Sequence, residues 1–357
     1  MSISSTLSTP SPSRLVSEVS RWFVLGAALL IGGGPLSFMS CQSPALTAGK
    51  LYLKQQKFDL ALQQLELAVS QDSTSADAYY HLGRAYGLAG YHIDMVAAFD
   101  RSLMHSRKYE ERMTEERLYY WTRMYNDGVR IAAMSHPDLV RASGKFRIAA
   151  KIIPERLQAW RNLGFTLYSI GEIDEAISSF EFVTQFAQSD TAILNALGTL
   201  YLGESRDAEA IAQFEKALVH GEQLVTLTNL AVALSRVGDL AAAEETYRRA
   251  LVTDSTHWQS YYNLGSLYWQ QSRFVESVEA FEHAVRLNPV DVDARYNLAV
   301  AYLGLNRMDD AFPLLETLSL DMPDNGLIWR ELGRAYANRG LDAESAEAFA
   351  KASALGQ

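Results

Sequence analysis

A bulky apolar residue recurs along this 357-residue chain at an almost constant interval. The series is Leu65, Phe99, Phe146, Phe180, Phe214, Tyr247, Phe281, Leu315 and Phe349; its steps are 33 or 34 residues, except for one of 47 between Phe99 and Phe146. A step near 34 is the period of a helix-turn-helix solenoid. A unit of two short helices cannot bury its apolar faces alone. Units must therefore stack, and the stack leaves an extended surface suited to gripping another polypeptide.

Each unit repeats more than its anchor. Trp160, Leu163, Gly164 and Leu167 open one copy, and Gly171, Ala176, Phe180 and Val183 continue it. Leu194, Leu197, Gly198 and Tyr201 open the next, and Tyr261, Leu264, Gly265 and Tyr268 a later one. The last holds Trp329, Leu332, Gly333, Tyr336, Phe349 and Ala352. Apolar residues three and four apart mark one face of an α-helix, twice per copy. Gly90, Gly171, Gly238 and Gly340 fall between the two faces, where a left-handed helix end is expected. Pro289 and Pro323 fall where second helices should stop.

This pattern resembles the tetratricopeptide repeat (TPR) from about residue 44 onward. The resemblance implies an all-α fold, a right-handed α-solenoid of about nine helix-turn-helix units. It also implies that Gly49, Gly83, Gly164, Gly198, Ala231, Gly265, Ala299 and Gly333 let the two helices of each unit approach closely. Residues 1–40 read as a targeting segment and 41–357 as the solenoid. Units are expected near 42–75, 76–105, 123–156, 157–190, 191–223, 224–257, 258–291, 292–325 and 326–357. The 47-residue step predicts a degenerate third unit, lacking the Leu-Gly pair, with a helical insertion over 106–122. There Arg107 with Glu111, and Arg112 with Glu116, are opposite charges four apart that suit a solvated helix.

The formal charge is −10, which argues against general nucleic-acid binding, since that needs cations to neutralise phosphates. At the N-terminus, Arg14 and Arg21 precede the apolar run 22–31, in the manner of an export signal. Phe38-Met39-Ser40-Cys41 follows and holds the chain's only cysteine, so no internal disulfide can form. The segment resembles a bacterial lipoprotein signal, with Ser40 as the small residue before a lipidated Cys41; Phe38 stands where that signal usually has leucine. The resemblance implies a lipoprotein of the bacterial cell envelope. The alternative is an anchor formed by an uncleaved N-terminal helix over 22–39.

No catalytic motif is present. Gly49-Lys50 and Gly144-Lys145 lack the glycine-rich lead of a phosphate loop, and the seven histidines lie in different units without metal-ligand spacing. No catalytic residue, metal or cofactor is therefore expected. Binding residues are easier to name. Asn162, Asn229, Asn263 and Asn297 each stand two residues before the small residue of a first helix. In TPR arrays that face lines the concave groove, and the row is similar to the asparagine ladder of the O-linked N-acetylglucosamine transferase superhelix. Side-chain amides can both donate to and accept from an extended peptide backbone. Phe165, Tyr168, Ser266 and Trp269 share the face by helix geometry, with Arg161, Tyr262, Tyr296, Arg330 and Arg334 near it. A clamp for a C-terminal carboxylate is not expected, because the unit after Arg161-Asn162 offers no matching cation. The basic stretch Arg141, Lys145, Arg147, Lys151, Arg156 and Arg161 reads as a solvated face, with a contact to an anionic partner or lipid head groups as the alternative.

These readings converge on a non-catalytic scaffold of the cell envelope that holds partner proteins or peptides, with the membrane reached through the N-terminal segment. A regulatory adaptor of an envelope enzyme, such as a protease or cell-wall enzyme, is the alternative. An enzyme with an unrecognised site is a third.

Overall fold

Why each pair of helices closes is visible in the glycines. A Cβ on Gly164 would lie 2.5 Å from the Phe180 ring, one on Gly198 2.6 Å from Phe214, and one on Gly265 2.8 Å from Phe281. The anchor ring of the second helix fills the space that a side chain on the first helix would need. Hydroxyls seal the same contact: Ser277 Oγ donates to the Gly265 carbonyl at 2.8 Å, and Ser345 Oγ to that of Gly333 at 2.9 Å.

The computed structural model describes residues 43–356, and Cys41 with the expected segment 1–40 lies outside them. Among the described residues there are eighteen α-helices and no strand. They form nine antiparallel pairs. The first three are α1 (Pro44–Lys54) with α2 (Phe58–Gln71), α3 (Ala76–Ala89) with α4 (His92–His105), and α5 (Glu110–Ala132) with α6 (Leu139–Ile152). Next come α7 (Leu157–Ser169) with α8 (Ile173–Phe186), α9 (Thr191–Gly203) with α10 (Asp207–Leu218), and α11 (Leu224–Arg236) with α12 (Leu240–Thr253). The last are α13 (Trp258–Gln270) with α14 (Phe274–Leu287), α15 (Val292–Gly304) with α16 (Met308–Asp321), and α17 (Gly326–Asn338) with α18 (Asp342–Ala354). Each helix packs on the ones before and after it, so the array is an α-solenoid. Ser75, Asp190, Asp291 and Asn325 cap the starts of α3, α9, α15 and α17 by accepting from backbone N–H groups.

The turn between the helices is tighter than the glycines alone suggest. Gly90, Gly171, Gly238 and Gly340 have φ of 93°, 82°, 84° and 71°. Gln56, Ser205, Ser272 and Asn306 hold the same position in other units, with φ of 57° to 60°. A non-glycine residue there costs about 1 kcal/mol or more, so packing of the pair enforces the turn even where the residue resists it.

Units are joined by a repeated clamp. Tyr201, Tyr268 and Tyr302, on first helices, donate to Glu181, Glu244 and Glu282 of the preceding second helices, at 2.6, 3.1 and 2.7 Å. Arg206, Arg273 and Arg307 then cover the three rings at 4.2, 4.3 and 4.4 Å from their centroids. Each clamp adds a cation–π contact to a charge-assisted hydrogen bond. The basic stretch of the sequence is used in the same way: Arg147 pairs with Glu175, Arg161 with Asp190 at 2.7 Å, and Arg156 lies over Trp121 at 4.6 Å.

The third unit differs from expectation in three ways. The insertion is not a separate element: a short 3₁₀ turn at Arg107–Tyr109 leads into α5, which runs unbroken for 23 residues. The small residue is also present. A Cβ on Gly128 would lie 2.7 Å from Phe146, but Gly128 precedes its anchor by 18 residues where Gly164 precedes Phe180 by 16, because the connection between small residue and anchor is two residues longer. And Glu116 does not pair within its own helix. It is turned inward to Arg84 at 2.8 Å and accepts from Tyr80 at 3.4 Å, while Arg107 reaches Glu110 at 3.7 Å. Burial pushes the Glu116 carboxyl up, with Arg84 acting against it.

With two of the thirteen extra residues after Gly128, eleven precede it. Eleven residues make three turns to within about 20°, and a rise of about 16 Å. So α5 carries the unit's contacts twice on one face. Met113 and Met124, eleven apart, are both buried, as are Tyr120 and Ile131. The first half packs on the second unit: Tyr109 stacks on Tyr80 at 4.1 Å and donates to Asp77, and Tyr120 closes over Gly87. The second half packs on α6 and α7.

The Asp77 carboxylate gathers Lys50, Tyr109 and His81, the last at 3.4 Å. Burial, aided by the Lys50 charge, pulls the His81 pKa down to about 4. His81 is therefore neutral in the folded chain at pH values where an unfolded histidine, titrating near 6.5, takes a proton. The unfolded state then binds more protons, and stability falls as pH drops from about 6.5 towards 4.

Two measurements check this account. Gly128→Ala is expected to lower stability by about 1–3 kcal/mol through overpacking against Phe146. Gly144→Ala, in α6 with open space at its Cβ, is expected to raise it by about 0.5–1 kcal/mol. Denaturant titrations in which the two shift alike would sink the reading. His81→Asn should flatten the fall in melting temperature between pH 6.5 and pH 5, as read by calorimetry; an unchanged slope would remove His81 from that role.

Candidate partner-binding face

The ladder asparagines sit on first helices that lie side by side. Their amides are half-buried and join neighbouring units. Asn162 Nδ2 donates to the Tyr125 hydroxyl at 3.1 Å, and Asn297 Nδ2 to the Tyr262 hydroxyl at 2.9 Å. Asn229 Nδ2 lies 3.4 Å from Thr199 Oγ1. Asn263 lies beside Tyr247, in the wall of one cavity. The amides of Asn162, Asn229 and Asn297 thus brace the row, while their carbonyl oxygens and second N–H groups remain for another partner.

The same position, two before the small residue, is occupied by other residues in other units. Asn126 extends the row into α5 and is exposed. It escaped the sequence reading because a search at fixed distance from the anchor misses Gly128 by two residues. Ala196 interrupts the row in the fifth unit, where Asn195 instead accepts from Thr226 at 2.8 Å and donates to Gln223 at 3.1 Å. His81 holds the position in the second unit and Glu331 in the ninth.

Glu331 changes the expected role of two arginines. It is 4% exposed, with Arg330 at 3.1 Å and Arg334 at 2.8 Å. Its burial needs both cations, so they serve first to neutralise a buried carboxylate. Arg161 is committed in part to Asp190. The remaining candidates are mostly uncharged. Tyr168 and Trp269 are 46% and 36% exposed, and Phe165 rests on Phe180 at 4.9 Å. Trp269 packs on Phe274 at 4.8 Å and leans over Gly304, where a Cβ would touch its ring. Ser266 donates to the Tyr262 carbonyl at 3.1 Å. Burial raises the pKa of Tyr262 and of Tyr296, so both phenols stay neutral.

The structure therefore brings Asn126, Asn162, Phe165, Tyr168, Asn229, Asn263, Ser266 and Trp269 onto the first helices α5, α7, α11 and α13 of one array, with a gap at α9, and sets Arg330 and Arg334 apart at its last unit. A cavity of about 300 Å³ opens between α11 and α13 and includes Asn263 and Ser266 among its walls. Among the described residues no cluster of His, Cys, Asp and Glu could hold a metal ion, and no helix is long and apolar enough to cross a membrane.

Comparison with known proteins agrees with the repeat. Residues 228–289 and 262–318 match a family model described as tetratricopeptide repeat, and residues 49–90 one described as TPR repeat. Protein O-mannosyl-transferase TMTC3 of Mus musculus is 26% identical over 178 residues, 45% of this chain and 19% of that protein. BBSome complex member BBS4 of Bos taurus is 25% identical over 179 residues, 47% of this chain and 33% of that protein. The chain spans a third or less of either relative. The crystal structure of a tetratricopeptide repeat protein from Parabacteroides merdae superposes with a TM-score of 0.52 at 16% identity, over 67% of this chain and 94% of that one. The repeat length, the glycine-on-ring contact and these matches lead to one conclusion: this chain is a tetratricopeptide-repeat protein.

Proposed function

We propose that this chain is a non-catalytic scaffold that holds an extended, charge-poor segment of another protein along its first-helix face. The observation that carries the reading is the amide row, from Asn126 to Asn297, flanked by Phe165, Tyr168 and Trp269. Amides already bonded to Tyr125, Thr199 and Tyr262 are held in place before a ligand arrives, which lowers the entropy lost on binding. Aromatic side chains beside them supply the apolar contact area that dominates binding energy. Charge supports the same occupant: in a chain of net charge −10, the three arginines of this face, Arg161, Arg330 and Arg334, all pair with Asp190 or Glu331, which leaves one net positive charge, at the ninth unit. A strongly charged ligand would find little to match it there. The transferase activity in the name of TMTC3 is not carried over, because this chain matches 19% of that protein.

We further propose a place at the bacterial cell envelope, with Cys41 lipidated. The support is the order Arg14, Arg21, an apolar run and Ser40-Cys41 in the sequence. The Cys41→Ala variant is expected to leave the membrane fraction and to lose the added mass of the lipid. An unchanged mass and an unchanged membrane fraction would reject the anchor.

The binding reading is tested by selecting a displayed library of random twelve-residue peptides on the full chain. Recovered peptides should be poor in charge. Replacing Asn162 and Asn229 together by Ala should weaken the best peptide about thirtyfold, at about 1 kcal/mol per lost hydrogen bond. Fluorescence anisotropy reads the change, and equal affinity in the double variant would count against the face.

A further inference from the structure

Eight of the nine anchors are phenylalanine or leucine, and Tyr247 alone carries a hydroxyl. Its ring is buried beneath Ala231 at 2% exposure, in the position that Phe180 and Phe214 take elsewhere. The tyrosine reaches the space between α11 and α13, where it lies beside Ser235 and Asn263. It lines the cavity of about 300 Å³ on the ladder face, together with Arg236, Ser266 and Gln270.

The polarity of this cavity is specific. Ser235 Oγ donates to the Ala231 carbonyl at 2.8 Å, and Ser266 Oγ donates to the Tyr262 carbonyl at 3.1 Å. Both protons are used within their own helices, so both oxygens meet a guest as acceptors. Arg236 donates to the Leu202 carbonyl at 2.8 Å and lies 3.6 Å from Asp207, which matches its charge. Asn263 and Gln270 can give or take a hydrogen bond. A carboxylate would face two serine oxygens without a proton to offer. An ammonium would meet no free anion. An apolar group would leave the amides and hydroxyls without partners, at about 1–3 kcal/mol for each buried group. A primary amide has two N–H donors for the serine oxygens and a carbonyl for Asn263 or Gln270.

We propose that this cavity is a specificity pocket for an asparagine or glutamine side chain of the segment lying along the ladder. The inference rests on the groove reading above and adds a sequence preference to it.

The peptide selection is repeated on the full chain, on Tyr247→Phe and on Ser266→Val. Phenylalanine occupies the anchor in six other units, so the first variant keeps the packing. The unaltered chain should enrich Asn and Gln at one peptide position. Exchanging that residue for Leu or Glu should weaken binding about tenfold, the effect of one or two unmet hydrogen bonds. Both variants should still recover peptides but lose that preference. Peptides recovered with no amide preference, with Asp, Glu or apolar residues favoured instead, or with the preference intact in both variants, would overturn the pocket and leave the groove standing. Failure to recover any peptide would overturn both.

Discussion

The structure depends on one contact repeated down the chain: an apolar side chain on the second helix pressed against a first helix that has little or no side chain to offer. Gly164 under Phe180 is the plainest case. The contact sets the spacing of the two helices, and the spacing forces the tight turn between them. That is why Ser205, Ser272 and Asn306 accept a left-handed backbone that suits glycine. Local preference yields to packing wherever the two disagree. Where alanine replaces glycine, at Ala231 and Ala299, the partners are Tyr247 and Leu315, and the residues on both sides remain buried.

Between units a different chemistry takes over. The clamp of Tyr201, Glu181 and Arg206, with its two repeats, couples each first helix to the second helix before it through a charge-assisted hydrogen bond and a covered ring. The ladder amides couple first helix to first helix. In the proposed function, one set of polar groups thus serves cohesion and recognition together. The nearest-neighbour character of solenoids makes this economical, since every unit meets the same two demands.

Most of the fold was legible in the sequence because its signals are periodic. The anchors, the small residues and four glycine turns fixed the helix pairs before any coordinates. What was hidden was aperiodic. Gly128 lay two residues out of step, and with it Asn126. The inward turn of Glu116 was masked by Arg112, an equally plausible partner on the same helix. Of the face residues, the asparagines could be named from their offset, but their hydrogen bonds to tyrosines of the preceding unit could not. The pairing of Arg330 and Arg334 with Glu331 was equally out of reach, since nothing in one sequence tells a buried carboxylate from a solvated one. The hydroxyl of Tyr247 was overlooked because its ring does the work of a phenylalanine.

The doubled helix α5 bears on how such an array can grow. Each residue added within a helix swings everything downstream by about 100°. Most insertions would therefore point the later units in a new direction and break the continuity of any long ligand. Eleven residues nearly restore the original heading. A lengthening of this size slides the remainder of the array along the helix axis without spinning it. Evolution could thus admit it in a single event, whereas five or six residues would have had to be corrected elsewhere.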